Sequence, residues 1–256
     1  MADRGSGVAL VTGARKGIGR ALAEHLLGSG YQVFGCSRGD ADWEAEGFLH
    51  VRADVSVEAS VTALFRDIRQ RAGRLDVVVN NAAVTSMNHL LLTPASSVEK
   101  MLNVNVTGTF LVSREAARLM RKHGYGRIVN VSSVAVPLRL AGQAGYVASK
   151  ASVESLSQVM ARELAEFGIT VNVIGPPPIT TDMTRGVGKE RMGHLVDAMA
   201  VKRLGSYADV INVLDFFLRP ESEAVTGQVI YLGVSRTRDG GPPDRSAHGM
   251  LAGNTS

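Results

Sequence analysis

Residues 8–19 read VALVTGARKGIG. Val8 to Val11 form a short apolar run of strand type, which leads through Thr12 into a loop whose glycines Gly13, Gly17 and Gly19 follow the spacing G-x-x-x-G-x-G. Ile18 to Leu27 then carries apolar residues at helical spacing. A strand that turns through glycines into a helix brings free backbone N–H groups and the positive end of the helix to one point, an arrangement that receives a pyrophosphate. An ordinary strand-to-helix turn also uses glycines. Its place after the first strand favours the phosphate reading.

The alternation continues outward. Strands are expected at Gln32–Ser37, Phe48–Arg52, Val77–Asn80, Arg127–Val131, Ile169–Ile174 and Gln228–Leu232, and helices at Val57–Arg71, Met101–Lys122 and Ala151–Glu166. This order implies an α/β fold, a doubly wound parallel β-sheet with helices on both faces, Rossmann-like in type. One domain is expected over residues 1–235. Ile179 to Leu204 is less regular and suits a cover over the strand C-termini. Residues 236–256 are rich in Gly, Pro and polar residues, lack apolar periodicity, and are expected to form a disordered tail.

With 256 residues and 45% of them hydrophobic, the chain can bury one substantial core. No apolar run approaches the ~20 residues of a membrane span, and the N-terminus MADRGSG lacks the regions of a secretory signal, so a cytoplasmic protein is expected. The single Cys36 precludes an internal disulfide, and the scattered histidines show no metal-ligand spacing, so no metal site is expected. Basic residues are interspersed with acids at a formal charge of +4, and nucleic acid is not an expected partner.

The end of the second strand separates NAD from NADP binding. An acidic residue there would hold the ribose hydroxyls, whereas this chain has Ser37 and Arg38, with Arg15 and Lys16 nearby on the glycine loop, so NADP(H) is expected. Asp40 and Asp42 follow closely. Farther along, Tyr146 and Lys150 stand four residues apart at the start of a helix and share a face. A free tyrosine, with a pKa near ~10, is a poor base at neutral pH, and a neighbouring ammonium lowers that value. Ser133 follows the strand Arg127–Val131, where its hydroxyl can bond a reacting carbonyl oxygen. Singly, each of these residues reads as structural. Their joint order after a phosphate loop is informative.

On these residues the chain resembles a short-chain dehydrogenase/reductase over nearly everything from Val8 to Leu232. The likeness rests on T-G-x-x-x-G-x-G at Thr12–Gly19, Asp54-Val55, N-N-A at Asn80–Ala82, the serine strand Asn130–Ser133, and Y-x-x-x-K at Tyr146–Lys150. It implies a catalytic set of Asn105, Ser133, Tyr146 and Lys150, with Asn105 supporting a water and proton relay to the lysine. Tyr146 would protonate the oxygen of a carbonyl that receives a hydride from the nicotinamide. It implies further that Asp54 and Val55 flank the adenine, that Asn80 to Ala82, and Asn81 and Ala82 above all, lie along the cofactor, that Lys150 binds the nicotinamide ribose, and that Ile179 and Thr181, after Pro176, hold the carboxamide. A homotetramer is implied, with a dimer as the alternative.

The pattern is nearest to 3-oxoacyl-[acyl-carrier-protein] reductases, through T-S-M-N-H-L-L, G-R-I-V-N-V-S-S, G-I-T-V-N-V, T-D-M-T and K-R-L-G. An acyl carrier protein is therefore a candidate partner, with Arg127 where a docking cation is expected and Phe167 where a second would stand. A reductase or dehydrogenase of a free ketone or alcohol is the alternative, and a non-catalytic NADP(H)-binding regulator is an alternative of another class. Two departures stand out: Gly175 precedes three prolines, Pro176 to Pro178, where the family has Pro-Gly, and the last strand is followed by Gly233, Val234 and Ser235. Leu90, Leu91, Leu92 and Leu138 are candidates for a pocket lining, with the core as the alternative.

Overall fold

The computed structural model describes residues 7–180 and 189–235, the side chains of residues 189–191 excepted. In chain order it has β1 (Val8–Thr12), α1 (Gly17–Gly28), β2 (Gln32–Ser37), β3 (Phe48–Arg52), α2 (Glu58–Arg71), β4 (Val77–Asn80) and α3 (Ala95–Leu102). A π-helical turn, Asn103–Thr107, then leads to α4 (Gly108–Met120), β5 (Gly126–Val131), α5 (Ala135–Leu138), α6 (Ala144–Leu164), β6 (Ile169–Gly175), α7 (Lys189–Asp197), α8 (Tyr207–Leu218) and β7 (Val229–Tyr231).

All strand pairs are parallel, in the order β3-β2-β1-β4-β5-β6-β7. Every residue of β1, β4, β5 and β6 is buried, as the near-continuous Val, Ile and Leu of those segments require for strands covered on both faces, whereas the edge strands β3 and β7 are only partly covered. Side chains alternate across β1. Val8 and Leu10 join the core layer beneath α2, α4 and α6, and Ala9 and Val11 join the layer beneath α1 and α8.

The strand order reverses direction between β1 and β4. At that point neighbouring crossovers leave to opposite faces, and a crevice opens beyond the strand C-termini.

Three features depart from the periodicity reading. The helix expected at Met101–Lys122 begins already at Ala95 and is interrupted by the π-helical turn. The helix expected from Ala151 starts at Ala144, so Tyr146 and Lys150 fall in its first two turns. α8 lies in a stretch read without a helix, although Ser206 and Asp209 form a capping box and Val210, Val213, Leu214 and Phe217 are buried at helical spacing. No described helix is long and apolar enough to cross a membrane. The expected tail, 236–256, lies outside the described residues.

Candidate active site

The glycine loop is built as its sequence requires. Gly13 and Gly17 sit at φ +68° and +61°, a region that favours glycine, and a β-carbon on Gly19 would collide with the Gly13 carbonyl and the Asn81 amide. The first turn of α1, with Ile18, can therefore pack against the loop after β4. That turn holds no acidic side chain and has no side-chain cap. Its N–H groups are of the kind that bind an anion, so a pyrophosphate fits here.

Thr12 joins the two loops: its hydroxyl accepts from the N–H groups of Asn81 and Ala82, each at 3.0 Å, and its carbonyl accepts from Asn81 Nδ2 at 3.0 Å. Trp43 covers the loop from outside, donating from Nε1 to the Ala14 carbonyl at 3.1 Å and stacking on Phe48. Neither contact could be read from local pattern. Asn80 lies apart from the cofactor groove: it is buried, and its Nδ2 donates to Ser113 Oγ and Asn130 Oδ1 inside the core.

Two of the cations expected at a 2′-phosphate, Arg15 and Arg38, lie near the end of β2. The Arg15 guanidinium comes beside Gly39, and Arg38 lies close enough to Asp54 to affect its titration. Burial works to raise the Asp54 pKa, but two bonds from Ser56 and the Arg38 charge bring it below the usual carboxylate value. Ser37 Oγ donates to the Gly39 carbonyl at 2.7 Å and lies 2.7 Å from His50 Nε2, a partner on β3 absent from the sequence reading. Asp40 is drawn toward Arg52 on β3, at 3.7 Å. Val55 is buried where Gly108 of α4 leaves room for it.

Beyond the strand ends lies a cleft of about 370 Å³, lined by Ile18, Asn81, Ser133, Tyr146, Lys150 and the prolines 176–178 among others, and Lys150 is its only charged lining residue among those described. The Ser133 hydroxyl lies close enough to the Tyr146 phenol to act on its titration, and Ser133 Oγ accepts from the Ala135 N–H at 3.1 Å. Lys150, 3% exposed, donates from Nζ to the Val131 carbonyl at 2.7 Å and lies 5.9 Å from the centre of the Tyr146 ring. Its pKa is pushed down to about 8 by burial, against the opposing charge of Glu154.

The expectation that Lys150 lowers the Tyr146 pKa is not met in this structure. Burial raises it, opposed only by the Ser133 hydroxyl. The reason is geometric, since the ammonium is directed at a backbone carbonyl and carries its own desolvation cost.

Asn105 is 1% exposed in the π-helical turn, and its side chain serves as a brace. Oδ1 accepts from the Val84 N–H at 2.8 Å, while Nδ2 donates to the Val84 carbonyl and to Ser149 Oγ, each at 2.9 Å. Ser149 in turn donates to the Tyr146 carbonyl at 2.7 Å. Asn105 thus fixes the loop after β4 to the start of α6. The proline run is pinned as well: the Pro176 carbonyl accepts from Val134, the Pro178 carbonyl accepts from Gly205, and Ile179 bridges to Gly205. Thr181 lies outside the described residues.

Two substrate expectations change. Leu90, Leu91 and Leu92 form an exposed turn, Leu91 at 85% exposure, and belong neither to the cleft nor to the core. Arg127 is 3% exposed beneath the Tyr125 ring, with Nη1 donating to the Gly126 carbonyl, and so is not presented to a partner.

The family model described as short chain dehydrogenase matches residues 7–192. The chain is 33% identical over 231 residues, 88% of its own length and 95% of the relative's, to a 3-oxoacyl-[acyl-carrier-protein] reductase FabG of Escherichia coli. It is 33% identical over 221 residues, 86% of its length and 89% of the relative's, to the 3-oxoacyl-[acyl-carrier-protein] reductase MabA of Mycobacterium bovis. A crystal structure of a putative gluconate dehydrogenase from Agrobacterium tumefaciens superposes with a TM-score of 0.83 at 29% identity, covering 90% of this chain and 96% of that one.

Proposed function

The chain belongs to the short-chain dehydrogenase family, and on that premise we propose that it is an NADP(H)-dependent carbonyl reductase, cytoplasmic, acting on a 3-oxoacyl thioester. The observation that carries the reading is Ser133 beside Tyr146 with Lys150 one turn on, in a cleft whose described lining holds no other charge, next to an uncapped glycine loop. Bound NADPH would supply the hydride. Tyr146 then gives its phenol proton to the carbonyl oxygen, and Ser133 Oγ holds that oxygen. The Tyr146 phenol, its pKa raised by burial, is protonated at neutral pH, the form a proton donor needs. Lys150 orients the nicotinamide ribose, and Asn105 holds the floor of the site through Val84 and Ser149. Arg15, Lys16, Ser37 and Arg38 would receive the 2′-phosphate, with Gly13, Gly17, Ile18, Gly19, Asp54, Val55, Asn81, Ala82, Pro176 and Ile179 lining the cofactor groove and Thr181, outside the described residues, proposed as a further contact.

NADPH oxidation followed with a 3-oxoacyl thioester, its carrier-bound form and a panel of free ketones tests the substrate. Preference for the carrier-bound thioester supports the reading, and turnover confined to free ketones overturns it. Comparable turnover with NADH removes the cofactor assignment. The second reading, a free ketone or alcohol as substrate, is favoured by the burial of Arg127 and by Phe167 in place of a second cation. No turnover anywhere on the panel, with tight NADPH binding, would instead support a regulator. Exposed Phe110 on α4 and Val159 on α6 support self-association as four copies or two. Sedimentation velocity showing monomer alone rejects it.

A further inference from the structure

α6 carries a second buried charged residue one turn beyond Lys150. Glu154 is 8% exposed and lies behind the cleft. Both of its carboxylate oxygens are taken by hydroxyls from other elements. Ser132 Oγ, just past β5, donates to Oε1 at 2.5 Å, and the Tyr231 hydroxyl, at the end of β7, donates to Oε2 at 2.6 Å. A buried carboxylate bound on both oxygens stays where it is, here on the same helix face as Lys150.

Gly175 makes room for this arrangement. It is the register partner of Tyr231 across β6 and β7, and a β-carbon there would collide with the tyrosine ring. Glycine inside a strand is unfavourable in itself and marks a close approach, in this case that of the Tyr231 ring. The first unusual residue of the Gly-Pro-Pro-Pro segment thus has a physical cause.

We propose, on the reading of Tyr146 and Lys150 given above, that Glu154 is a positioning residue which supplies the counter-charge keeping Lys150 an ammonium inside an apolar cleft, with Ser132 and Tyr231 fixing it in place. Burial lowers the Lys150 pKa, and the Glu154 charge opposes that fall. The other groups around Lys150 are neutral: Tyr146 on α6, the Ser132 and Ser133 hydroxyls and Val131 carbonyl from the β5 side, and Asn81 from the loop after β4. The neutral Tyr231 hydroxyl of β7 bonds Glu154. Beside the hydrogen bond to the Val131 carbonyl, Glu154 is the one charged group among the described residues that offsets the cost of holding this charge away from water.

Isotope-labelled lysine NMR, with the Lys150 signal assigned by its loss in Lys150→Arg, reads this directly. The unaltered protein should titrate near 8 at Lys150, and Glu154→Gln should lower that midpoint by about 1 pH unit or more. Glu154→Asp should restore most of the fall, and Tyr231→Phe, which frees one carboxylate oxygen, should give a smaller fall in the same direction. The alkaline limb of carbonyl reduction should move with the midpoint. A Lys150 midpoint unchanged in every folded variant overturns the proposal, as does a shifted midpoint beside an unmoved limb. If Glu154→Gln does not fold, Glu154→Asp and Tyr231→Phe carry the same test. If the unaltered protein turns over no carbonyl, the reductase reading fails and the NMR midpoints alone decide whether Glu154 is the counter-charge.

Discussion

Two ion arrangements in this molecule use the same chemistry to different ends. On α6, Lys150 and Glu154 are buried one turn apart, and burial pushes the lysine pKa down to about 8 against the opposing charge of Glu154. At the start of α8, Arg203 and Asp209 meet in a bidentate contact at 2.7 and 2.8 Å, with the arginine side chain 57% exposed. There, bonds from Arg203 and Ser206 hold the Asp209 carboxyl well below the usual range. The exposed pair is screened by water and completes a helix cap. The buried charges are less screened, so Glu154 acts on Lys150 along the helix face without direct contact. At the surface such charges serve a helix cap, whereas inside the fold they set the protonation of Lys150 itself, at a cost in desolvation.

The contrast can be broken at several points. The largest expected effect is at the buried end: Tyr146→Phe lowers carbonyl reduction by at least about 100-fold while NADPH binding, followed by fluorescence titration, survives. A still active Phe variant would detach the buried charge from any chemistry.

The next effect is on stability. A lysine whose folded pKa is depressed binds fewer protons folded than unfolded between about 8 and the ordinary 10.5, so its contribution to stability rises with pH across that window. Urea unfolding of the unaltered protein and of Lys150→Met should therefore diverge in favour of the former by on the order of 3 kcal/mol from pH 7 to above pH 10. Parallel curves would contradict this.

Asp209→Ala removes the α8 capping box and should cost about 1 kcal/mol at neutral pH. Because the Asp209 pKa is depressed, that contribution is present above the ordinary carboxylate range and fades as pH falls. A cost unchanged under acid conditions would show that the charge plays no part. Smallest of all, Arg203→Gln should shift the unfolding midpoint slightly in low salt and not at all in high salt.

The sequence was legible where neighbours along the chain do the work. β1 and its glycine loop declare themselves because strand, turn and helix signals follow one another without a gap, and Tyr146 with Lys150 shows in helical spacing. The π-helical turn at Asn103–Thr107 was not legible, since nothing in N-V-N-V-T distinguishes it from an ordinary helix. α8 was legible in principle, since Ser206 and Asp209 mark its cap and Val210, Val213, Leu214 and Phe217 its apolar spacing. The environment of Glu154 lay beyond any local pattern, because its partners stand 22 and 77 residues away and meet it only when β5 and β7 are in place. Arg127 makes the same point in reverse, as its cation looked available until the fold buried it under Tyr125.

The wide turn at Asn103–Thr107 is also a phase shifter. α3 and α4 run on through it without leaving the helical region at either junction, so the segment from Ala95 to Met120 is one rod with a slip in its winding. An α-helix turns by roughly 100° per residue, and the apolar stripes on the two sides of the slip are therefore set to different clocks. Met101 meets the core before it, and Leu111, Val112 and Leu119 meet the core after it. Deleting one residue from the turn would make a more regular helix and a worse protein, because every side chain beyond it would point about a quarter-turn away from its socket.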